Sequence, residues 1–241
     1  MALAHSPSIV MNGLVLCLDA GNTKSYPGSG TTWTDLSGRG NTGTLTNGPT
    51  YSSSNGGSIV FDGVDDYIQI NSNSSLQIST EVTVTSIVKP GVIGDNKVRL
   101  IDTNISSSTS VSGSMISLKV GTTSPYQDIS WFISDGSSYY EVRRSTSIIT
   151  STSIPYVITV RWRKSDGSAS IFVNGIETSY ASSVTFTGIP GTLTNPMLIG
   201  FLAGYNLYGN QTIYTTHLYN RYLSNTEVQQ NFNALRGRFG I

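Results

Sequence analysis

The stretch SIVFDGVDDYIQI, Ser58 to Ile70, sets Asp62, Asp65 and Asp66 between two short apolar runs. Carboxylates so placed can hold a metal, work as a catalytic pair, or build a turn. Retaining and inverting glycosidases need two carboxyls facing each other across a sugar, roughly 5 to 10 Å apart. On a strand such a pair falls at i and i+2, whereas Asp62 and Asp65 straddle Gly63, and Asp65 and Asp66 point to opposite faces of an extended chain. A turn fits better: Asp62-Gly63 reverses the chain, Asp65 caps backbone amides, and Tyr67, Ile68 and Ile70 resume a sheet. A calcium site drawing oxygen from Asp65 or Asp66, a backbone carbonyl and another loop is the alternative.

The remaining reactive side chains are few. His5 and His217 are the only histidines. A two-histidine metal site would need both, and His5 sits in a loose tail, so His217 reads as a buried, hydrogen-bonded strand residue. Cys17, the only cysteine, lies in the apolar run GLVLCLDA, where a packed small hydrophobe outweighs a nucleophile; alone, it can form no intrachain disulfide. No G-x-S-x-G, H-E-x-x-H or phosphate-loop pattern occurs. Aromatic side chains carry more promise, because sugar-binding surfaces combine an exposed ring with amides and carboxylates. GFLAGYNLYGN places Tyr205, Asn206, Tyr208 and Asn210 in a glycine-rich loop suited to reading a ligand or docking a subunit. Phe132, Phe172 and Tyr214 fall opposite the core positions of their strands, where burial under loops is the commoner fate.

These residues must be held by β structure. Ser, Thr, Gly and Asn dominate, and the apolar positions favour Ile, Val and Tyr. Period-two alternation recurs in Val82–Val88, in Ile116, Leu118 and Val120, in Ile129, Trp131 and Ile133, and in Ile158, Val160 and Trp162. It predicts antiparallel strands with one face wet. Asp166-Gly167 and Asn174-Gly175 mark tight hairpins within VRWRKSDGSASIFVNGIETSY. Other turn pairs follow every eight to twelve residues or so, the spacing of a sandwich or jelly roll. Only LSNTEVQQNFNALRG reads as helix, with Ser224 as N-cap, Glu227 completing a capping box, Val228, Phe232 and Leu235 on one face, and Gly237 as the stop. Ser106 to Ser114 reads as a polar loop. The organisation expected is an N-terminal arm, 1–12, and a single all-β domain, 13–241.

The 241 residues carry 14 basic and 14 acidic side chains, so the basic excess that nucleic acid or an anionic membrane selects is missing. No apolar run approaches the roughly 20 residues of a membrane helix, and the N-terminus lacks the basic and apolar regions of an export signal. Asn73, Asn104 and Asn210 head N-x-Ser/Thr triplets, which Ser/Thr-rich chains produce by chance.

GLVLCLDAGNTKSYPGSGTTWTDLSGRGNTGTLTNGPTY, then GGSIVFDGVDDYIQI and VRWRKSDGSASIFVNGIE, resemble the concanavalin A-like lectin/glucanase superfamily in its laminin-G-like, pentraxin-related branch. The closing LYNRYLSNTEVQQNFNALRGRFG resembles the ends of such domains in phage and environmental sequences. The resemblance runs from Gly13 to Gly237 and implies a jelly roll of two curved antiparallel sheets with one short C-terminal helix. Glucanases of this family carry E-x-D-x-E on one strand, and here Glu81, Glu141, Glu177 and Glu227 stand far apart. Hydrolysis by that route is excluded, and no enzyme is expected. Many lectin-like relatives hold calcium in loops, for which Asp35, Asn41, Asp65 and Asp66 are the available positions. Two functions follow. One is a non-enzymatic tailed-phage virion protein, a capsid decoration, fibre or baseplate module made in the host cytoplasm, binding other virion proteins, copies of itself as a homo-oligomer, and host-surface glycans. The other is a cellular carbohydrate-binding lectin.

Overall fold

In a computed structural model, residues 8–92, 98–103, 116–120 and 128–241 are described. Two antiparallel sheets face each other over a shared core. The eight-stranded sheet runs Ile176–Glu177, Ala169–Val173, Tyr156–Arg163, Glu81–Pro90, Asn210–Tyr219, Ser58–Asp62 and Thr50–Ser52, with Leu14–Asp19 also paired to Asn210–Tyr219. The nine-stranded sheet orders Tyr180–Ser183, Tyr139–Ser145, Ile129–Ser134, Ile116–Val120, Val98–Asp102, Met197–Ile199, Tyr67–Ile70, Gly43–Thr46 and Thr32–Trp33. Alternate residues of both sheets, among them Val82, Val84, Ile158, Val160, Trp162, Trp131, Ile68 and Ile70, interdigitate as the core. This is the all-β jelly-roll sandwich with one helix.

The hairpins follow their turn residues. Gly167 and Asn174-Gly175 sit at positive φ, where glycine and asparagine are strained least, and join Tyr156–Arg163 to Ala169–Val173 and that strand to Ile176–Glu177. The helix Asn225–Arg236 carries the expected capping box of Ser224 and Glu227. It ends at Arg236 with Gly237 as the expected stop. Gly237 keeps right-handed φ −59°, so the chain runs on in turns, and Phe239 meets the Tyr214 ring edge-on at 4.9 Å.

The wet face expected of Glu81–Pro90 and Tyr156–Arg163 is a correction: apart from part-buried Glu81, Lys89 and Arg163, both strands are buried along their length. The helix and the segment before Leu14 roof that face, burying Phe172, Tyr219 and Val228 in one cluster and Ile87, Val157, Tyr214 and Phe232 in another. Polar side chains beneath this roof pair among themselves. The Thr85 and Thr159 hydroxyls lie 2.9 Å apart, Thr83 Oγ1 donates to Arg221 O at 2.8 Å, and Arg161 Nη1 donates to Leu223 O. Small hydroxyls therefore read as solvent-facing in sequence while being satisfied internally. The expected arm, residues 1–12, is described from Ser8 onward. There Val10 is buried, its amide donates to Asn231 Oδ1 at 2.8 Å, and Gln230 Nε2 donates to Ser8 O at 2.8 Å. His5, Asn104 and the expected loop Ser106–Ser114 lie outside the described residues.

Candidate ligand-binding rim

Two connections cross between the sheets side by side at one end of the sandwich. The first is the acidic turn, which leaves the eight-stranded sheet at Asp62 and enters the nine-stranded sheet at Tyr67. The second leaves Ile199, forms the small hairpin Phe201–Leu202 with Leu207–Tyr208, and enters the eight-stranded sheet at Asn210. Sheet register sets Asn210 opposite Asp62, and Asn210 Nδ2 donates to Asp62 O at 3.3 Å. Gly63, at φ +80°, lies against Asn210, whose Cβ would stand 2.8 Å from an added Cβ. A larger residue there would push the two connections apart.

Within the turn, Asp62 Oδ1 accepts from Val64 N at 2.8 Å, Asp66 Oδ2 accepts from Asp62 N at 3.0 Å, and Asn47 Nδ2 donates to Asp65 O at 2.9 Å. The turn itself is as expected, but the carboxylates that take its backbone amides are those of Asp62 and Asp66 rather than Asp65, and the three side chains also converge: one carboxylate oxygen from each of Asp62, Asp65 and Asp66 lies within 4.8 Å of the others. Burial of Asp66, followed by the neighbouring Asp62 and Asp65 charges, raises its carboxyl above the usual range. Such an oxygen-rich set suits a hard cation such as calcium, with the unengaged oxygens of Asp62, Asp65 and Asp66 as the donors.

Asp35 and Asn41, expected with Asp65 and Asp66 as metal ligands, belong elsewhere. The Asp35 carboxylate accepts from Cys17 N at 2.8 Å, Ser37 N at 2.9 Å, Ser37 Oγ at 2.7 Å and Asn41 N at 2.9 Å. Asn41 Nδ2 donates to Val15 O at 2.6 Å and Ser75 Oγ at 2.8 Å. That pair pins a loop to the first strand: both Asp35 oxygens are already engaged, while Asn41 Oδ1 is buried without a partner.

Beside the acidic turn stands a column of rings. Tyr67 and Phe201 are tilted at 5.2 Å between centroids, and Phe201 stacks on Tyr208 at 4.2 Å with 5° between planes. All three rings are half-buried, while Tyr205 at the hairpin tip is 64% exposed and Asn206 takes the left-handed φ of 51°. Of the residues expected to bind ligand, Asn210 therefore meets the acidic turn, Tyr208 joins the ring column, and Tyr205 and Asn206 form the tip of the hairpin carrying them. Tyr67 and Phe201 were missed, because only the pairing of two distant connections stacks them. Phe172 and Tyr214 are roofed and buried, and Phe132 is half-buried.

The other reactive groups are occupied structurally. Burial, then Asp19 and Asp35, pushes the Cys17 thiol up to about 12, which leaves no thiolate. His217 Nε2 lies 2.9 Å from Thr215 Oγ1, and burial pulls its imidazole down to about 4. Glu81 accepts from Tyr222 N, Glu141 from Ser182 Oγ, Glu177 from Tyr180 Oη, and Glu227 from Arg221.

An antiparallel sandwich of this topology has a lectin-type fold, and its end loops here present rings, amides and carboxylates. The chain belongs to the concanavalin A-like lectin/glucanases superfamily, whose Laminin_G_3 model matches residues 62–229. No curated protein matches it in sequence. Among solved structures it is similar to the Trypanosoma rangeli sialidase in complex with sialic acid: 15% identity, TM-score 0.62, 93% of this chain and 33% of that one. The binding domain of Paraclostridial Mosquitocidal Protein 1 matches with 17% identity and TM-score 0.63, over 92% of this chain and 52% of that one. A botulinum neurotoxin type C structure, described as dependent on two ganglioside molecules for cell entry, matches with 12% identity and TM-score 0.67, over 92% of this chain and 51% of that one. At these identities the likeness is one of fold.

Proposed function

We propose that the protein is a non-enzymatic recognition module that binds glycans at the rim formed by Tyr67, Phe201, Tyr208, Tyr205 and Asn210. The observation that carries this reading is the ring column standing directly beside the acidic turn. A sugar ring stacks its apolar face on an aromatic plane while amides and carboxylates take its hydroxyls. Toxin binding domains and a sialidase among the fold neighbours support the ligand class. The four glutamates, each hydrogen-bonded at a different element, support binding without turnover. Calcium at Asp62, Asp65 and Asp66 would neutralise the turn and stiffen the rim. The setting we infer is a tailed-phage particle, where such a module decorates the capsid, fibre or baseplate; the phage-like closing segment supports it.

A glycan array tests the reading. The protein is expected to bind a defined set of oligosaccharides, with Phe201→Ala or Tyr208→Ala weakening them by about tenfold, the loss of roughly 1.4 kcal/mol of stacking. Silence across the array, or hydrolysis of any bound glycan, overturns it. Co-purification with phage particles tests the setting.

A further inference from the structure

The end of the sandwich away from the rim holds a cavity of about 380 Å³ lined by Thr80, Glu81, Lys164, Ser165 and Thr187. That volume falls inside the roughly 300 to 1,000 Å³ of small-molecule sites. Thr80, Ser165 and Thr187 are solvent-exposed and Glu81 and Lys164 half-buried, so the cavity opens outward. Its place follows from register. The strand Glu81–Pro90 starts here and finishes at Pro90, which pairs with Gln211, the neighbour of Asn210 in the rim. Its 10 residues, at about 3.3 Å each, put the two ends roughly 30 Å apart.

Three separate segments build the walls and hold them still. Lys164 N donates to Thr80 O at 2.7 Å, which ties the hairpin after Tyr156–Arg163 to the entry of Glu81–Pro90. Within that hairpin Asp166 accepts from Arg163 Nη2 at 2.7 Å and from Ser168 N at 2.9 Å. Gly167 packs against the third segment so closely that an added Cβ would stand 2.5 Å from Thr185 Cγ2. The third segment is anchored in the core: Trp162 Nε1 donates to Phe186 O at 2.9 Å, and the Phe186 ring stacks on Tyr140 at 4.6 Å. Glu81 is steadied by Tyr222 N, which donates to its Oε2 at 2.9 Å. Among the described residues, by contrast, nothing hydrogen-bonds the Lys164 ammonium, the hydroxyls of Thr80, Ser165 and Thr187, or Glu81 Oε1. A fixed frame thus gathers polar groups that the fold itself does not use.

We propose that this cavity is a second saccharide site, so that the module holds one sugar at each end. The inference rests on the glycan reading and adds a valence to it. One ammonium and one carboxylate balance in the lining, which favours a neutral ligand over an anion or a cation. Hydroxyls make up the rest of the polar lining, and each both donates and accepts, as the hydroxyls of a sugar do. No aromatic residue lines the cavity. A sugar is therefore held here by hydrogen bonds without stacking, and more weakly than on the ring column. Sites so far apart grip two neighbouring glycans of a coat rather than one short oligosaccharide, and the second contact then forms at high effective concentration.

Amide chemical shifts of the isotope-labelled full chain, followed while glucose, galactose, mannose or N-acetylglucosamine is added, read the two sites separately. Expected are two sets of shifting amides, one at Tyr205 and Asn210 and the other at Thr80, Lys164 and Thr187. Lys164→Ala should weaken the second set about tenfold and leave the first unchanged, and Phe201→Ala should do the reverse. Thr187→Val, which removes one hydroxyl at nearly constant shape, should act in the same direction as Lys164→Ala and less strongly. Shifts confined to the rim overturn the second site and leave the glycan reading standing. Shifts confined to the cavity keep the second site and overturn the rim. Cavity shifts that persist unchanged in Lys164→Ala and Thr187→Val overturn the second site, and shifts at neither end overturn both.

Discussion

Asp35 and Asp66 are both buried aspartates at strand connections, 8% and 4% exposed, and their surroundings are opposite. Asp35 receives four hydrogen bonds, from Cys17 N, Ser37 N, Ser37 Oγ and Asn41 N. Asp66 receives one from Asp62 N and faces two further carboxylates. Where donors saturate a carboxylate the site holds the fold together. Where like charges crowd it, the fold tolerates a cost that a cation would relieve.

The strongest way to break this contrast is Asp35→Ala, which orphans the buried Cys17 and Asn41 amides. It should cost about 3 to 5 kcal/mol, read by urea denaturation. A loss below about 1 kcal/mol would sink the idea that Asp35 is the staple.

The roofed face offers a pH test of the same logic. The His217 imidazole is held neutral, its folded value of about 4 standing below the ordinary 6.5. The unfolded chain therefore takes up a proton first as pH falls. Stability from this group is complete above pH 6.5 and is lost on the way down to pH 4, by about 3 kcal/mol in all. Denaturation at pH 7.0 and 4.5 should show the loss, and His217→Gln should flatten it; equal slopes in both proteins would count against it.

Asp65→Asn, on the crowded side, should be the mildest change. It relieves repulsion and removes no hydrogen bond made by the Asp65 side chain, so stability without metal should stay within about 0.5 kcal/mol. Calcium should raise the wild-type melting temperature and fail to do so in this variant. Equal calcium response in the two proteins would remove the metal from the acidic turn.

Local chemistry made much of the fold legible. Asp166-Gly167, Asn174-Gly175 and the Ser224–Glu227 capping box each specify their structure through residues only a few positions apart. The roofed face was not legible, because Thr83 and Arg161 find their partners around Leu223 and Thr85 finds its own in Thr159, all far along the chain. Half of the rim could be read, since Tyr205, Asn206, Tyr208 and Asn210 sit together in one glycine-rich loop. Phe201 and Tyr67 escaped notice because their neighbours come from register rather than adjacency. Asp35 misled for the same reason: its type suits calcium, but its four donors become visible only once the loop is folded onto Cys17.

The strand Asn210–Tyr219 holds Glu81–Pro90 along one edge, with Ser58–Asp62 and then Leu14–Asp19 along the other. A ribosome delivers that central plank after every strand it joins. Until it arrives, the earliest strand has no neighbour to zip to, and the loop to be closed spans about two hundred residues. This layer is thus expected to close only after residue 219 has been made, at the slow pace of proteins dominated by distant pairings. A chain truncated before residue 210 should lose the whole eight-stranded layer rather than one edge of it.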